Sequence, residues 1–190
     1  MGEHSGIFLE HKERTNQKKL ELLYRVSDIL GKNVPIKEAL QKVLDHLFDF
    51  LRRMDRGAFI LLDPDTGEVR EIIFRSKKSA DKSVDLFCKE VVDEVLSRRK
   101  AIAVSDARAE GPEEIADTLR VHNFESVMCV PLVGVSQIVG VIYVDSVQRP
   151  FGFQKEDLSL FMDLGHRIAY AVENARLSSE LSTSPDLLFC

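Results

Sequence analysis

The sequence predicts an α+β fold in which helices pack against an antiparallel sheet. Apolar residues recur at three- and four-residue steps near both ends of the chain, which is typical of amphipathic helices. Between these ends lie short apolar runs joined by turn sequences, which indicates strands paired in hairpins. Because hairpins join antiparallel strands and each helix must bury its apolar stripe, we expect the terminal helices to cover one face of the sheet.

Two helices precede the first predicted strand. An apolar stripe predicts one helix over residues 11–31, with the first ten residues frayed and Gly31 suited to end the helix. Pro35 favours the first turn of a second helix, and a wide apolar face extends this helix to residue 53. Both helices therefore carry a face that can pack on a sheet.

A hairpin follows these helices, because the apolar period changes from 3.6 to 2. Residues 58–62 form an apolar run, and the sequence DPDTG at residues 63–67 comes directly after it. Proline fixes φ for a turn and glycine supplies a positive φ, so residues 69–74 are predicted to return as the second strand.

The rest of the chain is predicted to complete a sheet of about five or six strands. A strand at residues 137–145 is apolar at nearly every position, so we expect it to be central and covered on both faces. The other elements, in order, are a helix at 84–96 with Ser83 as its N-cap, a strand at 101–104, helical turns near 111–119, a strand at 126–132 and a helix at 154–181.

The composition excludes several classes of function but does not identify one. The 190 residues suit one domain, and 26 Lys+Arg against 31 Asp+Glu leave a net charge of −5, without the basic surplus that nucleic-acid binding needs. No apolar run is long enough for membrane insertion, and the polar N-terminus is no secretory signal. The three cysteines form no CxxC pair. We therefore expect a cytoplasmic domain.

Four segments, taken together and in order, resemble a GAF domain. They are RGAFILLDPDTG at 56–67, SVMCVPL at 126–132, GVIYVDS at 140–146 and the closing helix at 153–177. The resemblance is to GAF domains of bacterial signalling proteins of the cyclase, histidine kinase or enhancer-binding regulator type. It covers residues 20–178. Residues 1–19 are then an N-terminal extension or the start of a linker helix, and residues 179–190 a C-terminal tail or linker.

The resemblance implies an architecture and a function. Terminal helices would pack on one face of the central antiparallel sheet, with the ligand-pocket helices and loops on the other. The chain would be a non-catalytic sensory or regulatory domain that binds an unknown small molecule and passes the signal through its terminal helices to a fused output domain. The alternative is a ligand-free dimerisation or scaffold module of a signalling protein.

Candidate ligand-binding residues border the pocket that the resemblance implies. Other interpretations stay open for three of them. Cys129 fits a small buried apolar side chain, Asp145 fits a residue that closes a strand, and His122 fits a loop-capping or solvent-exposed residue. The acidic cluster within residues 110–117 is most simply a solvated surface. The six candidates are Asp106, Arg108, His122, Phe124, Cys129 and Asp145.

No cofactor follows from the sequence. A cyclic nucleotide is possible, but the signature of the GAF domains that bind one is degenerate here: Asp145-Ser146 replaces Asn-Lys, and Glu156-Asp157 reverses the acidic pair. Bilin is not expected, because neither Cys88, predicted within a helix, nor Cys129, predicted within a strand, has an adjacent histidine. Haem is not expected either, because the five histidines share no ligand spacing.

No catalytic or metal site is predicted. The sequence lacks phosphate-binding, HExxH and GxSxG motifs. A third hypothesis is an enzyme related to the free methionine sulfoxide reductases that share the GAF fold, but it requires cysteines in the pocket loops. The predicted positions of Cys88 and Cys129 do not favour it.

The terminal helices are predicted to form a homodimer. Their apolar side chains offer more surface than one sheet face requires, and a helical bundle between two subunits would bury the remainder. The alternative is that these side chains only cover the sheet. The candidate interface residues are Leu20, Leu23, Leu30, Ile168, Val172 and Ala175.

Overall fold

The computed structural model describes residues 3–78, 87–106, 117–119, 124–147 and 152–183. Within these residues it has four helices of more than one turn and five strands. They are α1 (Glu3–Leu30), α2 (Ile36–Phe50), β1 (Arg56–Leu62), β2 (Val69–Ser76), α3 (Lys89–Arg98), β3 (Ile102–Val104), β4 (Ser126–Val133), β5 (Ile138–Ser146) and α4 (Lys155–Thr183). A single helical turn lies at 117–119. No helix in this part of the chain is both long and apolar enough to span a membrane.

Two helix starts differ from the prediction. Helix α1 begins at Glu3, so residues that were expected to be frayed belong to its first turns. Helix α3 begins at Lys89 with Cys88 as its N-cap, and the predicted start after Ser83 was therefore wrong. Ser83 itself lies outside the described residues. Cys88 consequently precedes the helix and does not lie in its first turn.

The five strands form one antiparallel sheet in the order β2-β1-β5-β4-β3. This confirms the predicted α+β class, and the sheet formed by the described residues has the lower of the two expected strand numbers. Strand β5 lies in the middle and pairs with β1 on one side and β4 on the other. All its residues after Ile138 are buried, which confirms the expected central strand that is covered on both faces.

The turn between β1 and β2 forms as the residue types predict. The Asp63 carboxylate accepts hydrogen bonds from the backbone N–H groups of Asp65 and Thr66, at 3.0 and 2.9 Å. These bonds stabilise the ionised form and hold the pKa of Asp63 below its ordinary value. Gly67 follows with φ of +72°, a conformation that glycine adopts without steric cost.

The sheet separates two cores. The helix-side core lies between the sheet and helices α1, α2 and α4, and includes Val26, Leu44 and Ile168. The α3-side core lies on the opposite face and includes Val92 of α3 and Tyr143 of β5. Because successive side chains of a strand point to opposite faces, every strand of the sheet can contribute to both cores.

Helices α1 and α4 run parallel on the helix side. The Lys19 ammonium donates to the Glu156 carbonyl at 3.2 Å, and the Arg167 guanidinium donates to the Ser27 hydroxyl at 2.7 Å. From the first contact to the second, the residue number rises in both helices, so the two helices run in the same direction. At about 1.5 Å per residue, α1 extends ~24 Å ahead of Lys19. Helix α4 extends a comparable distance beyond Arg167, towards the other end of the domain.

Candidate functional site

A buried ion pair lies on the α3 side of the sheet. Arg56 and Asp145 face each other in the register of β1 and β5, and the Arg56 Nε donates to the Asp145 Oδ1 at 2.9 Å. Asp145 is 0% exposed, and Arg56 is also buried. The Arg56 guanidinium carbon lies 4.6 Å from the centre of the Phe124 ring, within cation–π distance. The pair is therefore enclosed by protein and bordered by an aromatic ring.

Strand alternation places these polar side chains among apolar ones. Tyr143 and Val141 precede Asp145 at two-residue steps on β5, and both belong to the α3-side core. On β1, Ala58 follows Arg56 at the same step and belongs to that core as well. The ion pair is thus the charged end of a face that is otherwise apolar.

The buried carboxylate of Asp145 is the site's unusual feature. Besides its contact with Arg56, it takes a side-chain hydrogen bond from Tyr143, which lowers its pKa. Burial raises the pKa of Asp145 to about 6, while the hydrogen bond and positive charge of Arg56 act in the opposite direction. The site therefore holds a carboxylate that is costly to ionise.

Tyr143 connects the site to the start of α3. Its hydroxyl oxygen accepts the backbone N–H of Cys88 at 3.1 Å, and its ring contacts the Phe87 ring edge-on, with centroids 6.0 Å apart. Burial is the main reason that the pKa of Tyr143 is raised well above its ordinary value, so the hydroxyl stays neutral. A shift of β5 at Tyr143 would therefore be felt at the N-terminus of α3.

Asp55 fixes the strand ends next to the ion pair. Its backbone N–H donates to the Asp145 carbonyl at 2.9 Å. Its Oδ2 accepts the Ser146 hydroxyl at 3.1 Å and the Val147 backbone N–H at 3.0 Å. These bonds hold the carboxyl end of β5 against the start of β1, which positions Arg56 and Asp145 relative to each other.

The structure brings together two of the predicted ligand residues. Phe124 and Asp145 both contact Arg56, and Asp145 lies one residue before the end of β5. Cys129 packs in the α3-side core of β4 like an apolar side chain, and burial raises the pKa of its thiol. Asp106 is half-buried after β3. Arg108 and His122 lie outside the described residues.

Arg56, Asp55 and Tyr143 were missed by the sequence analysis. The available signal was Arg56, a charged residue at the start of an otherwise apolar strand. Its role depends on the register between β1 and β5, in which the paired residues Arg56 and Asp145 are 89 positions apart in the sequence. The order of the predicted elements does not fix that register.

The predicted dimer residues fall into two groups. Ile168 and Val172 are buried against the sheet of their own chain, so their assignment to a partner surface is corrected. Leu23 and Leu30 pack against the same core, and Ala175 is half-buried. Leu20 is 67% exposed and remains a candidate. Other apolar residues of the terminal helices are exposed: Tyr24 of α1, and Met162, Tyr170, Leu177 and Leu181 of α4.

An open groove lies on the other side of the molecule from the ion pair. Its volume is about 1200 Å³, and it lies between α1, the end of α2 and the start of α4. Two of its cations are already bonded, Arg53 to Asp157 and Lys19 to a helix carbonyl. No three His, Cys, Asp or Glu side chains are grouped to hold a metal ion in the described ranges. The ion pair is therefore the better candidate site.

Solved GAF domains share this fold. The GAF domain of an Acinetobacter phosphoenolpyruvate-protein phosphotransferase aligns with a TM-score of 0.62 and 18% identity, covering 84% of this chain and 95% of that one. The corresponding domain from Coxiella burnetii aligns with a TM-score of 0.64 and 16% identity, covering 85% and 96%. At these identities the likeness shows the fold.

An enzyme also shares the fold. The free methionine-R-sulfoxide reductase of Neisseria meningitidis, solved with its substrate, aligns with a TM-score of 0.66 and 17% identity, covering 84% of this chain and 91% of that one. A search of curated proteins finds no match. The family model described as GAF domain matches residues 33–173. Since this match spans most of the sequence, and the sheet and its helices agree with it, the chain belongs to the GAF domain family.

Proposed function

We propose that the chain is a non-catalytic GAF sensory domain that binds a small ligand on the α3 side and signals through α1 and α4. One observation carries this proposal: β5 contributes to both cores at once. Tyr143 and Asp145 lie on the α3 side, whereas Ile142 and Val144 lie in the helix-side core. A ligand that moves β5 therefore also moves the surface on which the terminal helices rest.

A second contact supports transmission to α4. The Glu173 carboxylate of α4 accepts the Val135 backbone N–H at 3.0 and 3.1 Å, and Val135 lies in the turn between β4 and β5. The central hairpin is thus bonded to the C-terminal helix as well as packed on it. A ligand that binds one arrangement of β5 better would shift the population of the corresponding α4 position.

The parallel course of α1 and α4 supports a role between two other segments. Helix α1 extends ahead of the domain at one end and α4 extends beyond it at the opposite end. A change in the position of α4 relative to α1 would therefore be transmitted along the axes of the two helices. This arrangement suits a cytoplasmic signalling protein in which a fused output domain follows α4.

Exposed apolar residues support a homodimer through the same helices. Leu20 and Tyr24 share a face of α1 with Ser27, and Tyr170 shares a face of α4 with Arg167. Because Ser27 and Arg167 touch, these exposed side chains flank the seam between the two helices. Leu177 and Leu181 continue the stripe of Tyr170 along α4.

Native mass spectrometry of the purified 190-residue chain tests the proposal. We expect a dimer that carries a co-purified small molecule, whereas a ligand-free monomer at micromolar concentration would contradict both parts. A Leu177→Ser/Leu181→Ser variant should become monomeric. Val69→Ser, which changes an apolar residue of β2 that is about as exposed as Leu177, should leave the dimer intact. If the dimer carries no ligand and no small molecule stabilises it, the scaffold alternative is supported.

The buried thiols argue for the non-catalytic assignment over a reductase. Burial raises the pKa of Cys88 to about 11 and raises that of Cys129 further, whereas a nucleophilic cysteine needs a lowered thiol pKa. We expect no turnover of free methionine sulfoxide by the chain. Turnover that a Cys88→Ala/Cys129→Ala variant loses would favour the enzyme.

A further inference from the structure

We propose that the outer edge of β2 is an interaction surface for a second copy of this chain, which pairs there as an antiparallel strand and joins the two sheets into one. This surface is separate from the helix surface of the proposed dimer and does not rest on it. Three features of the edge support the pairing: the direction of its backbone groups, the order of its charges and the apolar residues between them.

The backbone of β2 presents hydrogen-bonding groups on its outer side. Within the residues that the structure describes, β2 pairs with β1 alone. The Asp55 carbonyl accepts the Lys77 N–H, so every second residue counted from Asp55 into β1 bonds to β2. In the register of the two strands, these β1 residues face Arg75, Ile73 and Glu71. The N–H and C=O groups of Ile72 and Phe74 therefore point away from β1, where another strand can bond to them.

A two-fold axis at Ile73 matches these backbone groups between two copies. Antiparallel pairing about this axis places Ile72 of each copy opposite Phe74 of the other, so that both residues exchange backbone hydrogen bonds. Their side chains share the α3 side of the strand, where Phe74 packs partly against the α3-side core and Ile72 is 38% exposed. Pairing would therefore cover an exposed isoleucine with an aromatic ring.

The charges of β2 select this register. Glu71 and Arg75 lie two residues to either side of Ile73, so the axis places each of them opposite the other residue of the second copy. Opposite charges that face each other across two strands stabilise their pairing. An axis at Ile72 or at Phe74 would also match the backbone groups, but it would place one of these charges opposite the apolar Ile73.

Helix α2 repeats the complementarity beside the strand. Lys37 of α2 pairs with Glu71 at 2.8 Å, and Asp45 of α2 pairs with Arg75 at 2.5 Å. The axis at Ile73 brings the Lys37–Glu71 pair of one copy towards the Asp45–Arg75 pair of the other, because the two pairs lie on opposite sides of the axis. A second copy therefore fits this edge without leaving any of these four charges next to a like charge only.

Sedimentation velocity of the full chain tests the edge when the helix surface is removed. The Leu177→Ser/Leu181→Ser variant should be monomeric at micromolar concentration and form dimers at about 500 µM, since one strand pair buries less area than a tight dimer needs. The helix dimer is measured at micromolar concentration, so the failure of one surface leaves the other standing. A variant that stays monomeric at the higher concentration overturns the inference. An edge that accepts only an extended peptide of another protein would give that result.

Charge reversal in the same background tests the register. Glu71→Arg places like charges opposite each other at both ends of the strand pair, and so does Arg75→Glu, so each variant alone should associate about tenfold more weakly. A mixture of the two variants again pairs arginine with glutamate at both ends and should recover the association. Glu94→Arg serves as the control, because Glu94 of α3 is as exposed as Glu71, is also ion-paired and lies over β4 and β5. A mixture that associates no better than the separate variants overturns the inference.

Amide hydrogen exchange identifies the strand that pairs. The N–H groups of Ile72 and Phe74 point outward in the monomer and are bonded in the pair, so their exchange should slow about twofold at the higher concentration, in proportion to the paired fraction. The Ile73 N–H bonds to β1 in both states and serves as the internal control. Association without slower exchange at Ile72 and Phe74 would mean that the copies meet elsewhere, and it overturns the inference.

Discussion

The two faces of the sheet bury different chemistry. On the helix side, the carboxylates of Asp157 and Glu173 both accept hydrogen bonds from backbone N–H groups. On the α3 side, the Asp145 carboxylate is held by two side chains, the guanidinium of Arg56 and the hydroxyl of Tyr143. The helix side therefore buries carboxylates that the backbone holds, whereas the α3 side buries one that other side chains hold.

The largest expected effect comes from truncating the helix-side core. Phe161 of α4 is fully buried, and Phe161→Ala should lower the free energy of unfolding by about 3–5 kcal/mol, because the cavity cannot collapse between a helix and a sheet. His166→Ala, which changes an exposed residue of the same helix, serves as the control and should cost less than ~0.5 kcal/mol. Urea unfolding measures both. A loss below ~1 kcal/mol for Phe161→Ala would contradict the stabilising role of this side.

On the α3 side, substitutions at Arg56 and Asp145 test whether their ion pair is needed for stability. Asp145→Ala leaves the Arg56 guanidinium buried without its carboxylate and should cost about 3–5 kcal/mol. Replacing both residues, as Arg56→Met with Asp145→Leu, should restore wild-type stability or exceed it, because apolar side chains carry no desolvation penalty. Denaturant unfolding of the single and double variants provides the comparison. A double variant as unstable as Asp145→Ala would mean that the pair is needed for folding.

The pH dependence of stability follows from the raised pKa of Asp145. In the unfolded chain this group titrates near 3.8 and in the folded chain near 6. Between these values the folded state holds the proton and the unfolded state does not, so stability falls as pH rises from about 4 to 6. The loss amounts to roughly 1–3 kcal/mol and stops above pH 6. The wild type minus Asp145→Asn difference in unfolding free energy isolates this contribution, and a difference that stays flat from pH 4 to 7 would contradict it.

Residue patterns predicted the sheet because each element carries its own signal. The DPDTG turn at residues 63–67 and the wholly apolar β5 determine a hairpin and a central strand by local chemistry alone. The start of α3 was placed too early because apolar residues at helical spacing precede Lys89, while the chain at Phe87 and Cys88 is not yet helical. There the Cys88 N–H bonds to Tyr143, a contact between residues far apart in sequence.

The candidate site could be predicted only in part for the same reason. Phe124 and Asp145 were identified from their positions in the GAF resemblance, whereas Arg56 was not, because its function exists only through its register with Asp145. The interface prediction failed at Ile168 and Val172 because helical spacing identifies an apolar face without saying what covers it. In this chain the sheet covers that face.

The smallest expected effect concerns the hydrogen bond between the β4–β5 turn and α4. Glu173→Ala removes the acceptor for the Val135 N–H, and because Val135 itself is exposed, the loss should be only about 1 kcal/mol, or ~2–4 °C in Tm. Gly134→Ala should have the same effect, since a Cβ there would lie 2.3 Å from the Glu173 Oε1 and displace the carboxylate. If both substitutions break one contact, the double variant should be scarcely less stable than either single variant. Additive losses in thermal unfolding would mean that Gly134 and Glu173 act separately and that the hairpin is not coupled to α4 through this bond.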